Sequence, residues 1–433
     1  MKENYKAIFK DLPQDNYSQF SVPFVFKNNF SAFLQWSIKF ENFKISRLQT
    51  IDQLQKAENT VDLNVLTQNR LALQKKAYQN QLSQIETLLS EFGFSKQQGN
   101  TQAILQHRVP SQQHFDSYFK NIFRDWAWGE EENKIYSDCL KKLTLNKGKV
   151  LIVGGGAGRL AYDLAQQKPE VEIIQIDINP LLSLIAHKIC NAETIELCEI
   201  SQFPMSTNDV AISHLLKTPT PVAPSQIQFV VGDISDHPFK DQQFDAIICP
   251  WVIDIISENF ADFAKRLNFL LKPQGELLIF GPLSFEKQSA QHKLTAEEVV
   301  QVLQESGFKN LTTQKLKVPY LHSPIEALIR HETIHLFYSQ QEKPSKRPKS
   351  YQHYPNWLSD TSVKVQPNQS LISLQSQKNL EAQFLAGLLS GKSIHEMATH
   401  IASSGSGMNL KQAEDFIQSV FARLFETGDI KAD

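Results

Sequence analysis

Cysteine is scarce: Cys139, Cys190, Cys198 and Cys249 are the only four in 433 residues, and no two of them form a CxxC pair. Such spacing excludes a disulfide-stapled fold and a cysteine-held zinc site, and it fits reduced, buried thiols in a cytoplasmic protein. Histidine, cysteine and aspartate nowhere cluster with metal-ligand spacing, so no metal is expected. Long hydrophobic runs are missing as well. None reaches membrane-spanning length, and the opening MKENYKAIFKDLPQDNY lacks the apolar centre of a signal peptide. Charge of one sign is not in excess either. A net charge of -2 gives no global pull towards nucleic acid or an anionic membrane. What the chain does have is length and apolar bulk. Its 433 residues exceed the needs of one compact domain, and 28 phenylalanines promise substantial cores.

One stretch organises the rest: KVLIVGGGAGRLAYDLAQQKPEVEIIQID, Lys149 to Asp177. Val150 to Val153 reads as a buried strand, Arg159 to Gln167 as a helix, and Val171 to Ile176 as a second strand ending on Asp177. Strand, glycine turn, helix, strand and acid is the layout of a nucleotide-binding βαβ unit. Gly154, Gly156 and Gly158 let the backbone approach a ligand, and a carboxylate at a strand end accepts both hydroxyls of a ribose. A structural glycine turn is the competing reading.

Residues 1–110 show helical spacing and no strand rhythm, as expected of a helical cap or an oligomerisation face that would serve a homodimer. The run VLTQNRLALQKKAYQNQLSQIETLLSEF reads as one long helix or an antiparallel pair, and Ser95 to Asn100 as a linker. In FDSYFKNIFRDWAWGEEENKIYSDCL the aromatics make a packed helical face. Arg124 there is either half of a surface salt bridge or a cation above the ligand site, open to a carboxylate. Beyond Asp177, residues 192–225 form an insertion long enough to be a lid. QFVVG ends in Asp233, placed either to reach an adenine amino group or to cap a helix. FDAIICP is a further strand, Ile256 to Leu271 an amphipathic helix, ELLIF a strand, and Thr295 an N-cap. Lys315 to Pro319 and Ile334 to Ser339 complete seven strands, the last pair hairpin-like. Residues 341–375 read as a linker. Residues 376–433 read as a small winged-helix-like domain with helices at Phe384 to Ser390, Ser393 to Ser403 and Leu410 to Thr427. Its last helix carries no excess of bases, so a protein or peptide contact is expected there rather than nucleic acid.

An open α/β sheet with an antiparallel edge is the Rossmann-like, seven-stranded architecture of class I S-adenosylmethionine-dependent methyltransferases. The GxGxG turn and the KPxG turn before the fifth strand favour it over a dehydrogenase. Residues 111–340 resemble the carnosine N-methyltransferase family. RDW at Arg124 to Trp126, GGGAGRLA, Asp177, Gly232-Asp233 and FDAIICPWVIDII…LNFLLKPQGELLIFGPL stand in family order, and PYLHSPIEALIRHETIHLFYS is similar to its closing segment.

The resemblance implies methyl transfer from S-adenosylmethionine to an imidazole nitrogen of a histidine-containing small molecule or dipeptide. It implies cofactor contacts at Gly154, Gly156, Gly158, Arg159, Asp177, Asp233 and Arg124, with Asp254 and Tyr320 on the acceptor side. Asp254 would orient the imidazole; capping a helix is its bland alternative. After Gly281-Pro282-Leu283 the chain runs Ser284-Phe285-Glu286, two residues shorter than the family pattern and without its histidine. A peptide or protein acceptor docked by the C-terminal domain, and a cofactor-binding regulator without turnover, are the alternatives.

Overall fold

The computed structural model describes residues 21–26, 29–60, 63–94, 115, 118–223, 226–286, 288–346, 348–349, 351, 358, 360–367, 391–426 and 430–432. The linker read at Ser95 to Asn100 and the helix read at Phe384 to Ser390 lie outside these residues. The chain divides into two units, one of residues 1–27, 39–94 and 114–351, the other of residues 28–38, 95–113 and 352–433.

The N-terminal part is helical as its spacing predicts. Helix α1 (Asn29–Glu58) is continuous, and α2 (Val65–Leu89) is one helix rather than an antiparallel pair. Asn64 caps α2 by accepting from the Thr67 N–H at 2.9 Å. In the first unit the Phe40 ring packs on Phe94 and Phe115, with centroids 6.3 and 5.5 Å apart. The short α3 (Phe119–Phe123) runs into a π-helical turn, Arg124–Trp128, and α4 (Glu130–Cys139) follows. Gly129 closes that turn by donating its N–H to the Arg124 carbonyl at 3.0 Å. A Cβ at Gly129 would collide with the Arg124 backbone, so glycine is required there.

The sheet then forms in sequence: β1 (Lys147–Val153), α5 (Arg159–Gln167), β2 (Glu170–Asp177) and α6 (Pro180–Cys190). Next come β3 (Ile195–Ile200), β4 (Ala211–Leu216), β5 (Ile227–Val231) and β6 (Phe244–Pro250). Helix α7 (Phe260–Leu270), β7 (Leu271–Gly281), α8 (Ala296–Glu305), β8 (Phe308–Pro319) and β9 (His331–Gln341) complete it. The seven-stranded sheet has the order β5-β2-β1-β6-β7-β9-β8. Pairing is parallel from β5 to β7 and antiparallel at β9 and β8. That is the class I methyltransferase architecture. Its central strands are covered on both faces, which is why Val150 to Val153 is an unbroken apolar run, buried throughout. The strand order reverses between β1 and β6, and the crevice at such a switch point is where α/β sheets bind ligands.

Three features depart from the sequence reading. The insertion after α6 contains a β-hairpin, β3–β4, outside the main sheet. Burial in it does not alternate, with Leu197, Cys198 and Glu199 all buried in β3 and only Leu216 buried in β4, so it leaves no clean period of two. Helix α2 lies against it, with the Gln81 amide donating to the Cys198 carbonyl and the Gln84 amide oxygen accepting from Cys198 N–H, both at 2.9 Å. The amphipathic helix read from Ile256 begins only at Phe260, because Asn259 caps it through the Asp262 N–H. Finally, residues 23–25 lie along the far edge of β5, Val25 N–H donating to the Val231 carbonyl at 2.7 Å and Val231 N–H to the Pro23 carbonyl at 2.8 Å. This covers an otherwise open edge.

All four cysteines are free and buried, and burial pushes the Cys190 thiol up to about 12. Among the described residues no helix is long and apolar enough to cross a membrane, and no group of three or more His, Cys, Asp or Glu is placed to hold a metal ion. In the second unit, β10 (Val365–Pro367) pairs antiparallel with β11 (Ile430–Ala432) beside α9 (Ile394–Ser403) and α10 (Leu410–Glu426). Ser393 and Glu396 make a capping box on α9. Ile394, Met397, Ile401, Ile417 and Phe421 form its core.

Glu258 and Arg266 pair between the start of α7 and its middle with both side chains buried. Glu258→Ala leaves the guanidinium buried without its partner and should destabilise the first unit by about 3–5 kcal/mol. Urea unfolding monitored by tryptophan fluorescence measures this.

Candidate active site

Three glycines shape the β1–α5 loop for different reasons. All have positive φ: 69° at Gly154, 61° at Gly156 and 94° at Gly158. A Cβ on Gly154 would lie 2.5 Å from the Val252 side chain, and one on Gly158 2.7 Å from the Ala186 Cβ, so both serve close packing. A Cβ on Gly156 would meet nothing within 4 Å. The space above Gly156 is open at the switch point, where a ligand would lie.

Asp177 ends β2 beside this space. Its carboxylate accepts from the Gly156 N–H at 3.0 Å and the Asn179 N–H at 2.8 Å. Burial pushes its pKa up to about 6 against these hydrogen bonds. A carboxylate offers about four acceptor positions, and the backbone N–H groups of Gly156, Asn179 and Ile178 fix this one at the end of β2. Asp233 follows β5 and accepts from the Ser235 N–H at 2.8 Å, capping a short 3-10 turn at Ile234–Asp236. The capping role is therefore real, and it uses one oxygen of a side chain at the same edge.

The π-turn stands against the glycine loop, with the Trp126 indole N–H donating to the Ala157 carbonyl at 2.8 Å. Arg124 is neither on the surface nor open to an outside carboxylate by default. Its guanidinium donates to Asp125 and to Glu132, and it lies over the Tyr136 ring. Burial works against its charge, but Asp125, Tyr136 and Glu132 outweigh burial and hold it protonated. Arg159 also turns to the protein. It donates to Asp163 at 2.9 Å and to the Asp125 carbonyl at 3.1 Å, tying the start of α5 to the π-turn.

The turn after β6 brings the acceptor-side candidates together. Trp251 has φ of 53°, a costly conformation for a bulky residue, and its Cα sits where a Cβ on Gly281 would be 3.0 Å away. Val252 packs on Gly154, so the turn abuts the glycine loop. Asp254 is buried and accepts from the Ser284 hydroxyl and N–H. It caps no helix, since Asn259 does that. Burial raises its pKa, opposed by Ser284. Tyr320, just past β8, stacks on Trp251 with centroids 4.8 Å apart, and the Arg330 guanidinium lies over its ring. Trp251 also meets Tyr136 edge-on at 6.1 Å. Asp254, Trp251 and Tyr320 thus share one end of the sheet with the glycine loop. Ser284 and Glu132 were missed as site residues. Ser284 stands in a short loop after Leu283, and Glu132 lies eight positions from Arg124, and neither spacing signals a contact.

The carnosine N-methyltransferase family profile matches residues 101–343, more than half of the chain. The chain belongs to the carnosine N-methyltransferase family. An uncharacterized protein of Methanocaldococcus jannaschii is 24% identical over 212 residues, 44% of this chain and 82% of that protein. Among solved structures, Haemonchus contortus phosphoethanolamine N-methyltransferase 2 in complex with S-adenosyl-L-methionine is similar at 13% identity and a TM-score of 0.36. The match covers 58% of this chain and 62% of that one, under two thirds of its length. A Thermotoga maritima methyltransferase described as a possible histamine N-methyltransferase is similar at 14% identity and a TM-score of 0.33, over 53% of this chain and 98% of that one. S-adenosylmethionine is the cofactor of this family member, a methyltransferase, and the open space over Gly156 beside Asp177 fits it.

Gly156→Ala and Gly158→Ala should separate ligand space from packing. The first should cost about 1 kcal/mol of stability, from its positive φ, while weakening S-adenosylmethionine binding at least about tenfold. The second should be more destabilising, because Ala186 has no room to retreat. Calorimetric binding together with thermal unfolding reads both.

Proposed function

We propose that the protein transfers the methyl group of S-adenosylmethionine to an imidazole nitrogen of a histidine-containing small molecule or dipeptide. The observation that carries this reading is Asp254. It is a buried carboxylate fixed by Ser284 in the turn that abuts the glycine loop, beside the Trp251–Tyr320 stack. In the cofactor half, Asp177 would accept the ribose hydroxyls, Gly154, Gly156 and Gly158 would admit the backbone to the cofactor, and Asp233 would face the adenine end. Arg124 and Arg159 would act from behind this surface, holding the π-turn to the loop.

In the acceptor half, Asp254 accepts the N–H of the neutral ring, which fixes the tautomer and leaves the opposite lone pair in the ring plane. Tyr320 lines the same pocket. S-adenosylmethionine, when bound, would supply an electrophilic methyl on a sulfonium, the N–C bond forming as the S–C bond breaks with its electrons going to sulfur. Positive charge then grows on the ring next to Asp254, which is placed to stabilise it and to take the N–H proton. Alignment supplies the rest of the rate, so no covalent protein intermediate is required.

A second reading, a peptide or protein acceptor, is favoured by one feature. Phe203, Met205, Leu328 and Ile329 are exposed apolar side chains on the hairpin and on the β8–β9 loop that begins at Tyr320. Such a patch beside an active site suits residues flanking a histidine. We place the C-terminal unit in the same scheme as a winged-helix-like docking module for protein or peptide.

Mass spectrometry of products from methyl-labelled S-adenosylmethionine with histidine, carnosine and short histidine peptides tests both readings. A methylated imidazole on carnosine supports the first, label on peptides alone supports the second, and no imidazole label on any of them defeats both. Asp254→Asn should lower turnover by roughly a hundredfold or more while leaving cofactor binding intact. Because the Asp177 pKa is raised to about 6 and only its ionised form accepts two hydroxyls, cofactor affinity should fall as pH drops through about 6. Asp177→Asn should bind weakly and lose that dependence in the same titration.

A further inference from the structure

The hairpin β3–β4 carries a buried carboxylate that the proposed chemistry does not use. Glu199 is buried, and its two oxygens accept three donors. The Trp128 indole N–H at 3.1 Å and His214 Nε2 at 2.7 Å donate to Oε2, and the Ser323 hydroxyl at 2.6 Å donates to Oε1. Trp128 belongs to the π-turn, whose Trp126 holds the glycine loop. His214 is on β4 and lies against the Phe123 ring at 5.2 Å. Ser323 lies three residues beyond Tyr320, in the β8–β9 loop.

The same loop is fastened elsewhere to the hairpin. Ser201 donates its hydroxyl to the Ile325 carbonyl at 3.0 Å, and Glu326 accepts the Gln202 and Phe203 N–H groups at 3.0 and 3.3 Å. On its other side, Glu132 accepts the Leu321 N–H at 2.9 Å while also binding Arg124 and the Tyr136 hydroxyl. Tyr320 is thereby bracketed by two buried carboxylates, each of which also binds the segment facing the glycine loop. A buried carboxylate is costly unless its acceptors are filled, so each is stable only with all its segments in place.

We propose that Glu199 is a positioning residue that couples the π-turn beside the cofactor loop to the loop that carries Tyr320. This rests on the reading that Tyr320 faces the methyl acceptor. Through Glu199, the inserted hairpin sets where the tyrosine stands relative to the methyl group to be transferred.

Glu199→Gln in the full chain tests this, because the amide keeps the shape but can no longer accept from all three donors. Amide hydrogen exchange with S-adenosylhomocysteine bound should show residues 321–327 exchanging about tenfold faster, with β1 and β2 unchanged. With carnosine as the acceptor, kcat/KM should fall about tenfold while the Kd for S-adenosylmethionine stays within about twofold. Adding Tyr320→Phe to Glu199→Gln should then cost far less than it does alone, as coupled residues do in a double-mutant cycle. Unchanged protection at 321–327, or losses that simply add, overturns the proposal. If Tyr320→Phe alone leaves kcat/KM unaltered, the acceptor-side reading is what fails, and the exchange experiment still decides whether Glu199 holds the loop.

Discussion

Four buried carboxylates at one end of the sheet, Asp177, Asp254, Glu132 and Glu199, set the conditions that the rest of the site must meet. A charge taken out of water must find donors, and donors close in space are here distant in sequence. Asp177 draws on the glycine loop, Asp254 on the segment after β7, Glu132 on the π-turn, α4 and the start of the β8–β9 loop, and Glu199 on the π-turn and the β8–β9 loop. The aliphatic core packs the strands and helices together. The carboxylates decide the order in which the loops above them meet, because only the native arrangement fills their acceptors.

That division of labour gives the chain a rigid half and an assembled half. The β1–β2–β6 core is apolar on both faces and carries the glycine loop, which the Trp126 indole also holds through the Ala157 carbonyl. The surroundings of Asp254 and Tyr320 are built from separate segments, held by the Trp251–Tyr320 stack and by hydrogen bonds to Glu132, Glu199 and Ser284. A family can keep the first half and alter acceptors through the second. After Leu283 this chain is two residues shorter than the family pattern it resembles and lacks its histidine, and Ser284 stands on Asp254. The Ser284 hydroxyl restrains the Asp254 carboxylate from the protein side.

The hairpin β3–β4 extends that logic. In the sequence it is a polar insertion between α6 and β5. In the structure it is fastened on one side by α2, through Gln81 and Gln84, and on the other by the loop beyond Tyr320. Helix α2, far upstream of the methyltransferase strands, is therefore joined through the hairpin to the loop beyond Tyr320.

The elements whose signals are local were legible. Val150 to Val153, the GxGxG turn and Asp177 announce a βαβ unit because strand burial, positive φ and a strand-end acid each depend on residues adjacent in the chain. Ser393 and Thr295 marked helix starts by side chains that bond only three residues away. The sequence alone determined the class of sheet, the glycine loop and the family. Tertiary structure alone decided that Arg124 is spent on Asp125 and Glu132, that Asp254 answers to Ser284 rather than to a helix, and that Glu199 meets Ser323 across 124 positions. Those contacts satisfy buried charge, and no periodicity in a chain records which distant donor will be beside a carboxylate once water has been excluded.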